Sequence, residues 1–108
     1  MAFSSTHDVF ARMPEVFNAR AAQGLEAVFQ FDIHGPEGGA WHVTVRDDAC
    51  SVGEGTHESP RVTITMSAED WLALVNRRLN GIQAFMTGKL KVKGDLMLAQ
   101  RIYDIFPF

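Results

Sequence analysis

Cysteine is almost missing from this chain: Cys50 stands alone among 108 residues. One cysteine cannot close an internal disulfide, so no disulfide framework supports the fold and a reducing compartment is expected. Long apolar runs are missing too. The longest, Trp71-Leu72-Ala73-Leu74-Val75, falls far short of the ~20 residues that cross a bilayer. The opening residues Met1-Ala2-Phe3-Ser4-Ser5 lack the basic and apolar stretches of a signal peptide, so the expected location is the cytoplasm. Positive charge is not in excess. Ten Lys and Arg against thirteen Asp and Glu leave a net charge of −3, which argues against a nucleic-acid binder. Metal-ligand spacing is absent: His7, His34, His42 and His57 form neither His-x-His nor an i, i+4 pair, and no metal site is expected. There is no phosphate loop, because Gly81 and Gly88-Lys89 are too far apart and Leu90 replaces the serine or threonine. Gly53-Glu54-Gly55 has no dinucleotide-binding context, so no cofactor is expected.

What is present is an ordinary globular composition, 46% hydrophobic and 21% charged, which excludes intrinsic disorder. A mass of 12.0 kDa implies one domain over residues 1–108, with roughly 6,000 Å² of folded surface.

Val9, Phe10, Met13 and Phe17 share a face at helical spacing within Ser5 to Gln23. Ser5 or Thr6 can cap this segment, and Pro14 predicts a break at Met13. Three strands follow, reading as an antiparallel meander because their connections are short. The first alternates Ala27, Phe29, Phe31 and Ile33 with Val28, Gln30, Asp32 and His34. The second alternates Trp41, Val43 and Val45 with polar residues. Asp47-Asp48 makes a tight turn into a short third strand, Cys50-Ser51-Val52, and 53–60 reads as a loop. A fourth strand places Val62, Ile64 and Met66 on one face. Ser67-Ala68-Glu69-Asp70 then starts a helix with a serine cap and acidic first turn. Another helical turn spans Ile82 to Met86 and stops at Gly88. A fifth strand, Lys89 to Lys93, turns Leu90 and Val92 inward and its lysines outward. Gly94-Asp95 opens a last helix to about Phe106. Strands apolar on one face and polar on the other predict a two-layer α+β domain: one sheet, wet on one side and covered by helices on the other.

The apolar face is rich in aromatics and methionines. Phe10, Met13, Phe29, Phe31, Trp41, Met66, Trp71, Phe85, Met86, Ile102 and Phe106 serve either as a filled core or as the lining of an apolar cavity. An empty cavity of ~300 Å³ would cost on the order of 7 kcal/mol, against about 5–15 kcal/mol of total stability. A permanent empty tunnel is therefore not expected. The site is occupied, collapses when free, or is closed by dimerisation.

Several blocks resemble a known family. Met13-Pro14-Glu15-Val16-Phe17-Asn18 and 24–33 are similar to the start of the sterol carrier protein type 2 (SCP-2) domain. Trp41, Asp47-Asp48 and 60–70 fit the same pattern. The segment Ala84-Phe85-Met86-Thr87-Gly88-Lys89-Leu90-Lys91-Val92-Lys93-Gly94-Asp95 looks like the family's C-terminal signature. The resemblance implies a five-stranded mixed sheet with helices on one face and an apolar tunnel between the layers. It implies a carrier of fatty acids, acyl-CoAs, sterols or phospholipids, with no shared catalytic residue. Many bacterial members are free-standing domains; others are the lipid-binding part of accessory proteins in ubiquinone synthesis. The absence of a peroxisomal targeting tripeptide fits a bacterial, cytoplasmic member. Arg77 departs from the pattern, since relatives often carry glycine just before the leucine here at Leu79.

Arg77, Arg78, Lys89, Lys91 and Lys93 are half of all positive charges within 17 residues. They are either a solvated face or a contact for anionic lipid head groups. Cys50 reads as a buried small residue rather than a nucleophile, and Asp47-Asp48 as turn residues rather than paired catalytic carboxylates. Three functions are thus in view: a carrier of an apolar ligand, a protein-interaction module, and a small enzyme acting on a lipid thioester. The third rests only on chance proximity of His, Asp and Cys50.

Overall fold

A computed structural model describes residues 2–108. Five strands, β1 (Ala27–His34), β2 (Gly39–Arg46), β3 (Ala49–Glu54), β4 (Val62–Ser67) and β5 (Lys91–Gly94), form one sheet in the order β3-β2-β1-β4-β5. β1 pairs antiparallel with β2 and parallel with β4, while β2–β3 and β4–β5 are antiparallel. The sheet is therefore mixed, with the expected meander at one end. Five helices accompany it: α1 (Thr6–Val16), α2 (Ala68–Val75), α3 (Gly81–Met86), α4 (Leu96–Gln100) and α5 (Ile102–Ile105). The surface measures 6214 Å², close to the size-based expectation.

Local chemistry sets the element boundaries. The Asp8 amide donates to Ser5 Oγ at 3.0 Å, Asp70 to Ser67 Oγ at 3.1 Å, and Leu98 to Asp95 Oδ1 at 3.0 Å. Asn80 Oδ1 accepts from both Ile82 and Gln83. Each cap satisfies amides that a helix start leaves free. Asp47 and Asp48 both have positive φ, 51° and 60°, in a two-residue hairpin joining Arg46 to its partner Ala49. That mirror-image turn matches strand twist, and Asp tolerates it better than most residues.

Five expectations are corrected. Pro14 does not break α1, which runs on to Val16. Proline removes one N–H bond, but it sits in the last turn, and burial of Val9, Phe10 and Met13 holds the helix against the sheet. The final helix is two short pieces hinged at Arg101. β5 is shorter than expected and starts at Lys91, because the end of α3 holds the preceding backbone: the amides of Lys89 and Leu90 both donate to Ala84 O. β3 extends to Glu54, and the rest of the expected loop covers the polar side of the sheet. Gln30, expected on a wet face, is 1% exposed. Its Oε1 accepts from the His57 amide at 2.8 Å, and its Nε2 donates to Asp32 Oδ1 and Gly55 O.

Candidate functional site

The candidate site is the apolar layer between sheet and helices. β1 and β2 supply Phe29, Phe31 and Trp41 from one side; α1 and α2 supply Phe10, Met13 and Trp71 from the other. Phe10 is sandwiched between two tryptophans, stacked on Trp41 at 4.5 Å and on Trp71 at 5.5 Å between ring centroids. Phe31 meets Phe10 edge-on at 5.4 Å and Trp71 at 5.3 Å. Phe108 stands edge-on to Trp71 and to Phe3, and lies 6.4 Å from Phe106. Phe106 in turn packs against Phe17 and Phe29. The rings thus form one connected run through the layer, from Trp41 to Phe17. Met66 and Met13 are fully buried among them, and Ile102 is half-buried against the same core.

Two predicted inward residues are not inside. Phe85 is 45% and Met86 78% exposed. The reason is helical geometry. α3 buries only Ala84, and residues two positions either side of it lie about 200° away around the axis. Ile82 and Met86 must then face out.

Among the described residues, two side-chain donors in the layer lack partners: Thr6 Oγ1 and Trp71 Nε1, both buried. Both belong to neighbours of Phe10, since Thr6 is one helical turn before it and the Trp71 ring stacks on it. A buried donor without an acceptor costs about 1–3 kcal/mol. Residue patterns offer Thr6 only as a cap, a role that Ser5 takes; the helix orientation shows that Thr6 points inward.

Two hollows beside the sheet are open to solvent. One, of about 640 Å³, lies beside Thr6, His7, Glu37, Trp41 and Glu54. The other, of about 440 Å³, is bordered by Glu26, Val28, Arg46 and Arg61 on the sheet. Only Trp41 of the predicted lining borders either.

The basic residues divide. Arg77 Nε donates to Phe108 O at 2.7 Å, and its guanidinium lies 5.6 Å from the Tyr103 ring centre. Arg77 also has φ +61° at the end of α2. There the Arg78 amide donates to Ala73 O and the Arg77 amide to Leu74 O, the bonding pattern of a helix stop usually made by glycine. Arg77 therefore sits where a left-handed residue is needed. Arg78, Lys89, Lys91 and Lys93 are exposed.

The remaining chemistry is sparse. Burial pushes the Cys50 thiol up to about 11, so it is protonated at neutral pH and a poor nucleophile. His42 lies 5.5 Å from His57 between ring centres. Among the described residues, no group of three or more His, Cys, Asp or Glu is placed to hold a metal ion. Among the same residues, no helix is long and apolar enough to cross a membrane.

The model of the SCP-2 sterol transfer family matches residues 9–107. The chain belongs to that family. It is 28% identical to palmitated SCP2L2 of Aedes aegypti, with a TM-score of 0.77, covering 97% of this chain and 96% of that one. It is 26% identical to apo sterol carrier protein 2 of Yarrowia lipolytica, also with a TM-score of 0.77, over 91% of this chain and 86% of the other. Hydroxysteroid dehydrogenase-like protein 2 of Rattus norvegicus is 29% identical over 93% of this chain. That match spans 19% of the longer protein, so the chain corresponds to about a fifth of this curated relative.

Proposed function

We propose that this SCP-2 family member binds one apolar, lipid-type ligand between sheet and helices and carries it through the cytoplasm. The connected aromatic layer is the observation that carries this reading. The likeness to a palmitated relative supports it.

The rings touch one another, so a ligand must part the layers. The weakest side is α3 to α5. Each of these helices buries one residue, Ala84, Leu98 or Ile105, whereas α1 and α2 bury four apiece. Opening ~300 Å³ there would cost about 7 kcal/mol if left empty. A ligand chain of ~14 methylenes recovers up to about 11 kcal/mol by burial. The closed, ring-filled form is then the ligand-free state, and the chain of a lipid displaces ring contacts near Phe106 and Ile102. The unpaired donors Thr6 Oγ1 and Trp71 Nε1 favour a ligand bearing an acceptor oxygen, such as a carboxylate or ester.

The test is titration of delipidated protein with palmitate, read by melting temperature and by fluorescence of Trp41 and Trp71, with native mass spectrometry for stoichiometry. One ligand per chain is expected. Ligand at a hundredfold over Kd should add about 2.7 kcal/mol of stability. Ile102→Asp, at a half-buried position, should weaken binding while leaving the fold intact. An unchanged melting temperature and no ligand adduct would refute the carrier reading and leave the filled-core interaction module.

A further inference from the structure

Between Asp70 and Asp95 the chain holds five cations, Arg77, Arg78, Lys89, Lys91 and Lys93, and no carboxylate. The protein as a whole has net charge −3, so its charge is strongly polarised. Among the described residues none of the five forms an ion pair. Arg77 is engaged by Phe108 and Tyr103, which leaves four free. Helix α3 lies within this segment and presents an apolar stripe to solvent. Ile82, Phe85 and Met86, spaced i, i+3, i+4, are 73%, 45% and 78% exposed. Such a stripe normally faces a core. Arg78 precedes α3 and Lys89 follows it. Lys91 and Lys93 stand on the edge strand β5, on the opposite side from half-buried Val92. Tyr103 borders the start of α3, where a methyl group placed on Gly81 would lie 3.5 Å from its ring.

We propose that α3 and its flanking cations form a docking surface for an anionic phospholipid bilayer. The apolar stripe would enter the boundary between head groups and acyl chains, while Arg78 and Lys89 meet phosphates. Lys91 and Lys93 add attraction over about a Debye length. Charge alone would fit a small anion, but a small anion has no use for three exposed apolar side chains. The stripe alone would fit a neutral partner, but that leaves four unpaired cations unexplained. The inference stands independently of the ligand reading, because its readout is vesicle association of delipidated protein.

The experiment is co-sedimentation of that protein with phosphatidylcholine vesicles made with or without phosphatidylglycerol, at low and high salt. Association is expected only with the anionic vesicles, weakening as salt rises. Replacing Lys89, Lys91 and Lys93 by Gln should lower affinity by up to about fivefold per charge at low salt. The double variant Ile82→Ser with Met86→Ser should lower it by about tenfold with an unchanged circular dichroism spectrum, since each exposed side chain lost removes apolar burial at the bilayer. The control Ala11→Ser, exposed on α1, should bind as wild type. No association with anionic vesicles at low salt would overturn the proposal. So would association that neither multiple variant reduces, or capture by an acidic protein without vesicle binding.

Discussion

Arg77 offers a two-variant test that separates backbone from side chain. It holds a left-handed conformation, φ +61°, which costs a non-glycine residue about 1 kcal/mol. Its guanidinium offsets this by donating to Phe108 O and lying over Tyr103. At this partly exposed position the hydrogen bond contributes about 1 kcal/mol and the ring contact about 0.5 kcal/mol. Arg77→Ala loses both contacts and keeps the backbone cost, a fall of about 1.5 kcal/mol. Arg77→Gly loses the same contacts but removes the backbone cost, a net fall of about 0.5 kcal/mol. For a domain of this size, melting should drop by about 9 °C in the alanine variant and about 3 °C in the glycine variant. Both should also change Trp71 emission, because Phe108 packs edge-on to that ring. Urea denaturation followed by tryptophan fluorescence reads both effects. A glycine variant no more stable than the alanine one would refute the left-handed assignment. Two variants as stable as wild type would refute the contribution of the Phe108 contact.

Three further outcomes follow from the structure. Asn76 clamps the N-terminal segment to α2 in both directions, accepting from the Phe3 amide at 2.7 Å and donating to Phe3 O at 3.0 Å; Asn76→Ala should cost about 1–3 kcal/mol in denaturation and speed proteolysis near Phe3. Gly94 has φ +100°, and an added Cβ would lie 2.5 Å from Arg61 O, so Gly94→Ala should destabilise by about 2 kcal/mol or more and raise amide exchange in β5. Burial lifts the Cys50 thiol from an ordinary 9.0 to about 11, so the unfolded chain ionises first. Stability is then unaffected by this group below about pH 9 and falls as pH rises toward 11. Alkylation by iodoacetamide at mildly alkaline pH should be much faster in urea than in the native protein; equal rates would refute the buried thiol.

Much of the fold was legible because its signals are local. Period-two alternation in β1, β2 and β4 named the buried Phe29, Phe31, Val43, Ile64 and Met66 correctly. The serine caps at Ser5 and Ser67, and the glycine stop at Gly88, act within a few residues of their own backbone. Pro14 misled because its local preference for ending a helix competes with burial of Val9, Phe10 and Met13, which no local rule weighs. Phe85 and Met86 mislead because apolar character does not by itself set an inward direction. In a six-residue helix the choice of face depends on which residue meets the core, and here that residue is Ala84.

The candidate site was legible as a set of residue types but not as an arrangement. Phe10 between two tryptophans, Phe108 against Trp71, and Thr6 without a partner all join residues distant in sequence. By itself the sequence determined the elements, their caps, the apolar face and the resemblance to the family, since each rests on spacing along one segment. Only the tertiary structure decided the parallel pairing of β1 with β4, the closed ring-filled layer and the outward stripe of α3. Those depend on which surfaces meet after the chain has folded back, and contacts of that range leave no periodic trace in the residues that make them.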